Sequence, residues 1–271
     1  MPFLCAEDRT SWRHRTPRAR LALWFGWLAL VALTVFAWEV MNRETIWAFV
    51  ADAPRQAADI ASRMLPPRWS YLQELWWPLW ETLNIATLGT MLALLIAVPV
   101  GFGAARNTTP SALLVRPAAL LLIVASRSIN SLIWGLLLVA IVGPGTLAGI
   151  LAIALRSVGF IGKLLYEAIE EVDPAPVEAV TATGASRLQV LDYAIVPQVL
   201  PAFAGITVFR WDINIRESTV LGLVGGGGIG LELQASLNML AWPQVSVILL
   251  VILATVLASE WVSAKVRHAM I

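Results

Sequence analysis

Asp173–Pro197 reads DPAPVEAVTATGASRLQVLDYAIVP and overlaps Glu167–Tyr193, the most polar passage after the N-terminus in a strongly apolar chain. Asp173 followed by Pro174 is an N-cap with proline at the first helical position, and Gly184 suits the left-handed residue that closes a helix. Ser186 with Gln189 three positions on forms a capping box that opens a second helix. The passage is therefore expected to fold as helix, sharp turn, helix, ended by Pro197, with Val177, Val180, Leu188 and Leu191 as apolar contacts. Such a device either offers a docking surface or packs on its own bundle, and local physics alone weighs the two equally.

The flanks of this passage are apolar over lengths that fit a bilayer. Of 271 residues, 58% are hydrophobic and 14% charged, with a mean hydropathy of +0.74, which leaves a water-soluble domain too little polar surface. A membrane helix needs about 20 apolar residues, and on that measure an all-α bundle of six spans is expected. Those beside the polar passage cover 146–166 and 196–222. Farther out lie 20–41, 79–105 and 243–263, and a long third span over 112–142 that bends near Ser126–Asn130. Two short spans are the competing reading of 112–142. The run Leu21–Trp38 follows a basic stretch, as a signal peptide would, but it is long enough to span and has no small-residue cleavage site, so it is expected to remain as an anchor.

Charge sets the orientation. Arg9, Arg13, Arg15, Arg18 and Arg20, the turn Arg106–Pro110, and Lys265, Arg267 and His268 belong on the cytoplasmic side by the positive-inside rule. Both termini are then cytoplasmic, and these arginines report topology, not nucleic-acid binding. Residues 42–78 fall outside, with mixed charge, helical periodicity and Trp69, Trp76 and Trp77 at the interface. The chain divides at this level into 1–78, the N-terminal segment with its first span and external amphipathic stretch, and 79–271, a transmembrane core with the polar loop at about 167–197.

Charges inside spans carry the chemical argument. A buried arginine costs about 3 kcal/mol on insertion scales, so it faces a cavity, a partner or a substrate. Arg127 and Arg156 have no acid in their own spans, and Arg127 sits in the polar break Ser126-Arg127-Ser128-Ile129-Asn130-Ser131. Arg210 and Arg216 have Asp212 and Glu217 nearby, and for these two internal pairing is the favoured reading. The guanidinium fork matches tetrahedral oxyanions and stays protonated. Arg127, Ser128, Asn130, Ser131, Arg156, Arg210, Asn214, Arg216, Ser218 and Thr219 are therefore the expected lining of a weak anion path.

Other features are excluded or set aside. One cysteine, Cys5, excludes an intrachain disulfide, and His14 and His268 stand near the termini, away from any metal-ligand cluster. No acid pair or nucleophile–base set suggests an enzyme. Gly225–Gly230 fits the dinucleotide-binding expression but follows a membrane span, so helix termination, or an outer loop near the pore mouth, is its reading.

The segment EAVTATGASRLQVLDYAIVPQVLP, 178–201, resembles the EAA loop of bacterial ABC-importer permeases, through Glu178, Ala179, Gly184 and Pro197. Val180 replaces the second alanine, and Ala194 and Val196 stand where isoleucine and leucine are usual. The stretches SRSINSLIWGLLLVAIVGPG, RSVGFIGKLLYEAIEEVD and FRWDINIRESTVLGLVGGGGIG are similar to phosphonate- and phosphite-type permeases, and the resemblance extends over about 80–271. It implies a type I importer (MetI-like) fold and a homodimer in the bacterial inner membrane. It also implies two ATPase subunits at the coupling loop, and an external binding protein that captures the anion. Glu178, Ala179, Thr183, Gly184, Ala185 and Pro197 would serve ATPase coupling. With no phosphate-binding loop in this chain, ATP and magnesium belong to the partner subunits, and the chain itself binds no cofactor. Asn130, where many phosphonate permeases have proline, favours phosphite over an organic phosphonate as the imported anion. The alternative is an ion-coupled anion transporter or channel that works without an ATPase.

Overall fold

The computed structural model describes residues 3–6, 9–12 and 17–270. Arg13, His14 and Arg15 of the basic stretch lie outside the described residues, and of Cys5 and Arg9 only the backbone is described. Two compact units are present, the first ending at Asp59 and the second beginning at Ile60.

The first unit holds two four-residue strands, β1 (Phe3–Ala6) and β2 (Arg9–Trp12), paired antiparallel with Phe3 opposite Trp12. This ladder is the one departure from the all-helical expectation among the described residues. Helix α1 (Pro17–Glu44) follows. Its 28 residues rise about 42 Å, more than the about 30 Å of a hydrocarbon core. At its end the Trp47 indole N–H donates to Asn42, and the rings of Trp38 and Trp47 lie 6.3 Å apart. Helix α2 (Trp47–Arg63), whose last turn belongs to the second unit, accounts for the helical periodicity of the expected external segment.

The second unit begins in earnest at a 3-10 turn (Trp69–Gln73) and is built on three long helices, α3 (Trp76–Ala104), α6 (Thr146–Glu170) and α9 (Val196–Gly222). Small residues line much of the contact between α3 and α6. Ala86, Ala93 and Ala97 of α3 and Ala148, Ala152 and Ala154 of α6 are buried. Lipid tails are as apolar as leucine, so membrane helices associate by close backbone approach and interhelical hydrogen bonds, which small residues permit. Ile85, Ile153 and Leu221 fill the space between the three helices, while large apolar side chains on outward faces, such as Leu88, Met91 and Leu95 of α3 and Leu253 and Leu257 further on, are exposed as lipid contact requires.

Helices α4 (Val115–Ser128) and α5 (Ser131–Val142) pack on α6 and meet at a 91° bend. Their 14 and 12 residues rise only about 21 and 18 Å, too short for either to cross alone. Together they traverse the bundle. At the start of α4, Arg116 binds the Ala104 carbonyl and pairs with Glu170 at 3.6 Å, beside the ends of α3 and α6. Just beyond α5, Gly145 N–H donates to Gly225 O, beside the end of α9. The broken third span is thereby preferred over two short ones. Among the described residues five helices are long and apolar enough to cross a membrane, and the bent pair, taken as one span, makes six. Asn130 caps α5 by accepting from Leu132 N–H.

Beyond α9, Gly225, Gly227 and Gly228 adopt positive φ and turn the chain into α10 (Ile229–Asn238). The glycine run therefore ends one helix, as the sequence led one to expect, and also starts another, which it did not. The final helix, α11 (Trp242–Met270), packs on α9 and α10. Tyr71 of the 3-10 turn donates to Glu232 of α10 at 2.9 Å, and burial, then the Glu232 carboxylate, pushes its phenol up from the ordinary range.

Candidate functional site

The polar groups of the second unit gather where α3, α6 and α9 meet halfway along their length. Asn214, fully buried on α9, donates to Thr90 Oγ1 at 2.8 Å and to Ser157 Oγ at 3.1 Å. Thr90 is midway along α3 and Ser157 midway along α6, so one asparagine ties all three helices at mid-depth. Buried polar groups in hydrocarbon persist only when satisfied in this way. Ser157 also accepts from Arg210 Nε at 2.9 Å. Arg210 is almost fully buried, with its guanidinium 5.1 Å from the Phe160 ring and 3.1 Å from Glu217 Oε2.

Glu217 is shared. Its other oxygen lies 3.3 Å from Arg156 Nε. Arg156 Nη1 donates in turn to the carbonyl of Ile129 at 3.2 Å. That carbonyl stands at the α4–α5 bend, where the helical ladder is interrupted. Arg156 thus stitches the bend to α6 and α9, and the acid missing from its own span comes from across the bundle. Beside it, Arg216 pairs with Asp212, which also accepts from Ser259 of α11 at 2.7 Å. The pairing expected of Arg210 and Arg216 is present, Arg216 with Asp212 and Arg210 with the Glu217 it shares with Arg156.

A cavity of about 380 Å³ opens here, bounded by Asn130, Ser131, Arg156, Arg216, Glu217 and Val220 among others. Four of the expected path residues, Asn130, Ser131, Arg156 and Arg216, line it. Arg210 and Asn214 lie behind it as support. Ser218 and Thr219 face elsewhere, since their hydroxyls donate to the carbonyls of Ile215 and Arg216 and both are buried. Arg127 and Ser128 are exposed at the end of α4, with Ser128 bonded to the carbonyl of Val124 and no ion pair for Arg127 among the described residues. Three guanidiniums, at 156, 210 and 216, meet two carboxylates, at 212 and 217, so the region carries excess positive charge. Glu217 lines the cavity although the sequence reading gave it only a pairing role.

The contact between α4 and α6 leaves no slack. Ser126 Oγ donates to the carbonyl of Leu155 and accepts from Gly159 N–H at 2.8 Å. A Cβ on Gly159 would lie 2.6 Å from Ile123 O and 2.7 Å from Arg127 Cγ, so glycine is required for this approach.

The polar loop takes its expected form of helix, turn and helix, except that Pro197 does not end the second helix, which runs on from Arg187 to Gly222 because a proline near the start of a helical segment is tolerated. Asp173 caps α7 (Pro174–Ala182) by accepting from Ala175 N–H at 3.0 Å, and Gly184 turns at φ +81°. The capping box forms in both directions between Ser186 and Gln189, opening α8 (Arg187–Val190), and a five-residue π turn (Leu191–Ile195) leads into α9. Glu178, Ala179, Thr183 and Gly184 are exposed, Ala185 is half-buried and Pro197 opens α9. The loop is fixed to the bundle. Gln198 accepts from Asp173 N–H at 3.0 Å, Glu170 accepts from Arg106 N–H at 2.9 Å, and Asn107 donates to Ile169 O at 2.6 Å. These contacts put the Arg106–Pro110 turn and the polar loop at the same end of the bundle.

Residues 97–267 match the family described as binding-protein-dependent transport system inner membrane component. The chain is 47% identical over 210 residues to the phosphite transport system permease protein PtxC of Stutzerimonas stutzeri, covering 78% of this chain and 76% of that protein. It is 36% identical over 250 residues to the putative phosphite transport system permease protein HtxC of the same organism, covering 89% and 84%. The phosphate-import permease protein PhnE of Mycolicibacterium smegmatis is 38% identical over 240 residues, covering 89% of this chain and 44% of that one. Among solved structures, the inward-facing MetNI methionine ABC transporter superposes with a TM-score of 0.65 at 20% identity, over 74% of this chain and 98% of that one, a likeness of fold.

Proposed function

Because the chain belongs to the family of binding-protein-dependent transport system inner membrane components, we propose that it forms the membrane path of an ATP-driven importer for a small phosphorus oxyanion, phosphite ahead of organic phosphonates. The observation that carries the reading is the mid-depth cavity of Arg156, Arg216 and Asn130 within excess positive charge. Guanidiniums that keep part of their surface open to a cavity can exchange an internal partner for a diffusing anion, and a path needs contacts weak enough to release. Relatives named for phosphite transport support the choice of anion.

In this reading two copies of the chain associate, and two ATPase subunits, holding ATP and magnesium, dock on the exposed loop around Glu178, Ala179, Thr183 and Gly184. Ala185 and Pro197 support the turn and the return into α9. An external binding protein delivers the anion on the opposite face, and the complex alternates between inward and outward access. The chain sits in the bacterial inner membrane with both termini cytoplasmic. The rigid tie between the Arg106–Pro110 turn and the coupling loop supports that orientation, because both are then cytoplasmic.

The test is uptake by the reconstituted complex with its ATPase and binding protein, comparing phosphite, methylphosphonate, aminoethylphosphonate and phosphate. ATP-dependent uptake led by phosphite is the expected result. Uptake of none of the four would refute the phosphorus reading. Uptake by this chain alone, without ATPase, would favour an ion-coupled transporter.

A further inference from the structure

Resting on the anion-path reading, we propose that Glu217 is a tethered counter-anion, a side chain that occupies the cavity guanidinium of Arg156 when no cargo is present and yields it when the oxyanion arrives. Glu217 is one carboxylate between two guanidiniums of unequal environment. Toward Arg210 it makes its shorter contact, 3.1 Å, to a side chain only 3% exposed and fixed by Ser157 and the Phe160 ring. Toward Arg156 the contact is 3.3 Å, to a side chain 29% exposed that lines the cavity. Losing Arg210 would strand a buried cation, whereas losing Arg156 leaves that arginine facing the cavity and still bonded to Ile129 O. The exchange is therefore one-sided: Glu217 stays on Arg210, and Arg156 turns to the incoming anion.

The carboxylate has a second effect. Its negative charge faces the space the cargo enters, with Arg216 already engaged by Asp212. It lowers the affinity of the cavity for any anion and returns to Arg156 as the anion leaves, which sets both weak holding and fast release. An uncharged amide of the same shape accepts from Arg210 through its one oxygen, presents to Arg156 an NH2 group that cannot accept, and so removes the competition.

The experiment measures equilibrium binding of radiolabelled phosphite, methylphosphonate, phosphate and sulfate to the purified permease–ATPase complex without binding protein, together with ATP-driven uptake when binding protein is restored. Glu217→Gln is expected to bind anion about tenfold more tightly, the scale of one partly screened charge interaction, and to turn over several-fold more slowly. Glu217→Asp, which keeps the charge but cannot reach both arginines, retains weak binding, and it carries the test through uptake and binding if the amide variant fails to assemble. Glu217→Gln in an Arg156→Ala background loses the gain. Unchanged or weaker binding in Glu217→Gln, or a gain that survives loss of Arg156, would overturn the proposal. A gain seen with sulfate alone would keep Glu217 in this role and remove the phosphorus cargo, and a gain with phosphate but not with phosphite or methylphosphonate would keep that role and move the cargo from phosphite to phosphate.

Discussion

At the scale of single residues, four consecutive positions decide how the path is lined. Arg216, Glu217, Ser218 and Thr219 succeed one another on α9, and successive helical residues point about 100° apart. They cannot all face one cavity, and they do not: the first two line it, while the hydroxyls of the next two return to the backbone. Residue type pointed to the right helix, and helical geometry then divides the candidates. The role of Glu217 was not legible because Arg156 lies 61 positions away, and no local pattern states which spans meet. Arg127 is the opposite case, exposed and without an ion pair among the described residues. Arg127→Ala is expected to leave the melting temperature of the purified chain unchanged, as for a surface change without lost partners. Uptake is expected to fall by about tenfold or more, the value of one charge-assisted contact. Wild-type uptake in this variant would remove Arg127 from the path.

At the scale of elements, the polar loop was the most legible part of the chain because its signals are local. Asp173, Pro174, Gly184, Ser186 and Gln189 each act within a few positions of themselves, and each takes its expected geometry. The spans were legible for a related reason, since length and apolarity are properties of a segment by itself. The limits of that reasoning show at α4–α5 and α10. The bend was visible in the polar break, but its 91° angle depends on Arg156 reaching Ile129 from another helix. Helix α10 was missed because the glycines that precede it mark a stop more plainly than a restart. Gly184→Ala places a Cβ at φ +81°, which costs about 1–2 kcal/mol. Anion-stimulated ATPase activity of the assembled complex and uptake are expected to fall together several-fold, with the melting temperature of the bundle nearly unchanged. A fall in uptake with full ATPase stimulation would place the loop outside coupling.

At the scale of the whole molecule, the proposed orientation is open to chemical labelling because Cys5 is the only cysteine. In a Cys5→Ser background, single cysteines replacing Leu65 and Met239 are expected to react with a membrane-impermeant thiol reagent on intact inner membranes from the periplasmic side. Cysteines replacing Leu113 and Thr183 are expected to react only after lysis. All four wild-type residues are exposed, so access tests sidedness and not burial. The reverse pattern would invert the bundle and put the coupling loop out of reach of ATP.

Helix α6 carries Arg156 near its middle and Glu170 at its end, 14 residues and about 21 Å away. Of the three core helices it alone has no proline, for α3 contains Pro99 and α9 contains Pro201. Proline is where long helices find their hinges. A rod without a hinge has no place to store a delay, so a displacement of Glu170 and its bound turn arrives at Arg156 undiminished. In the proposed importer the stroke at the cytoplasmic end and the loosening of the cavity then share one clock, and the two cannot drift out of phase.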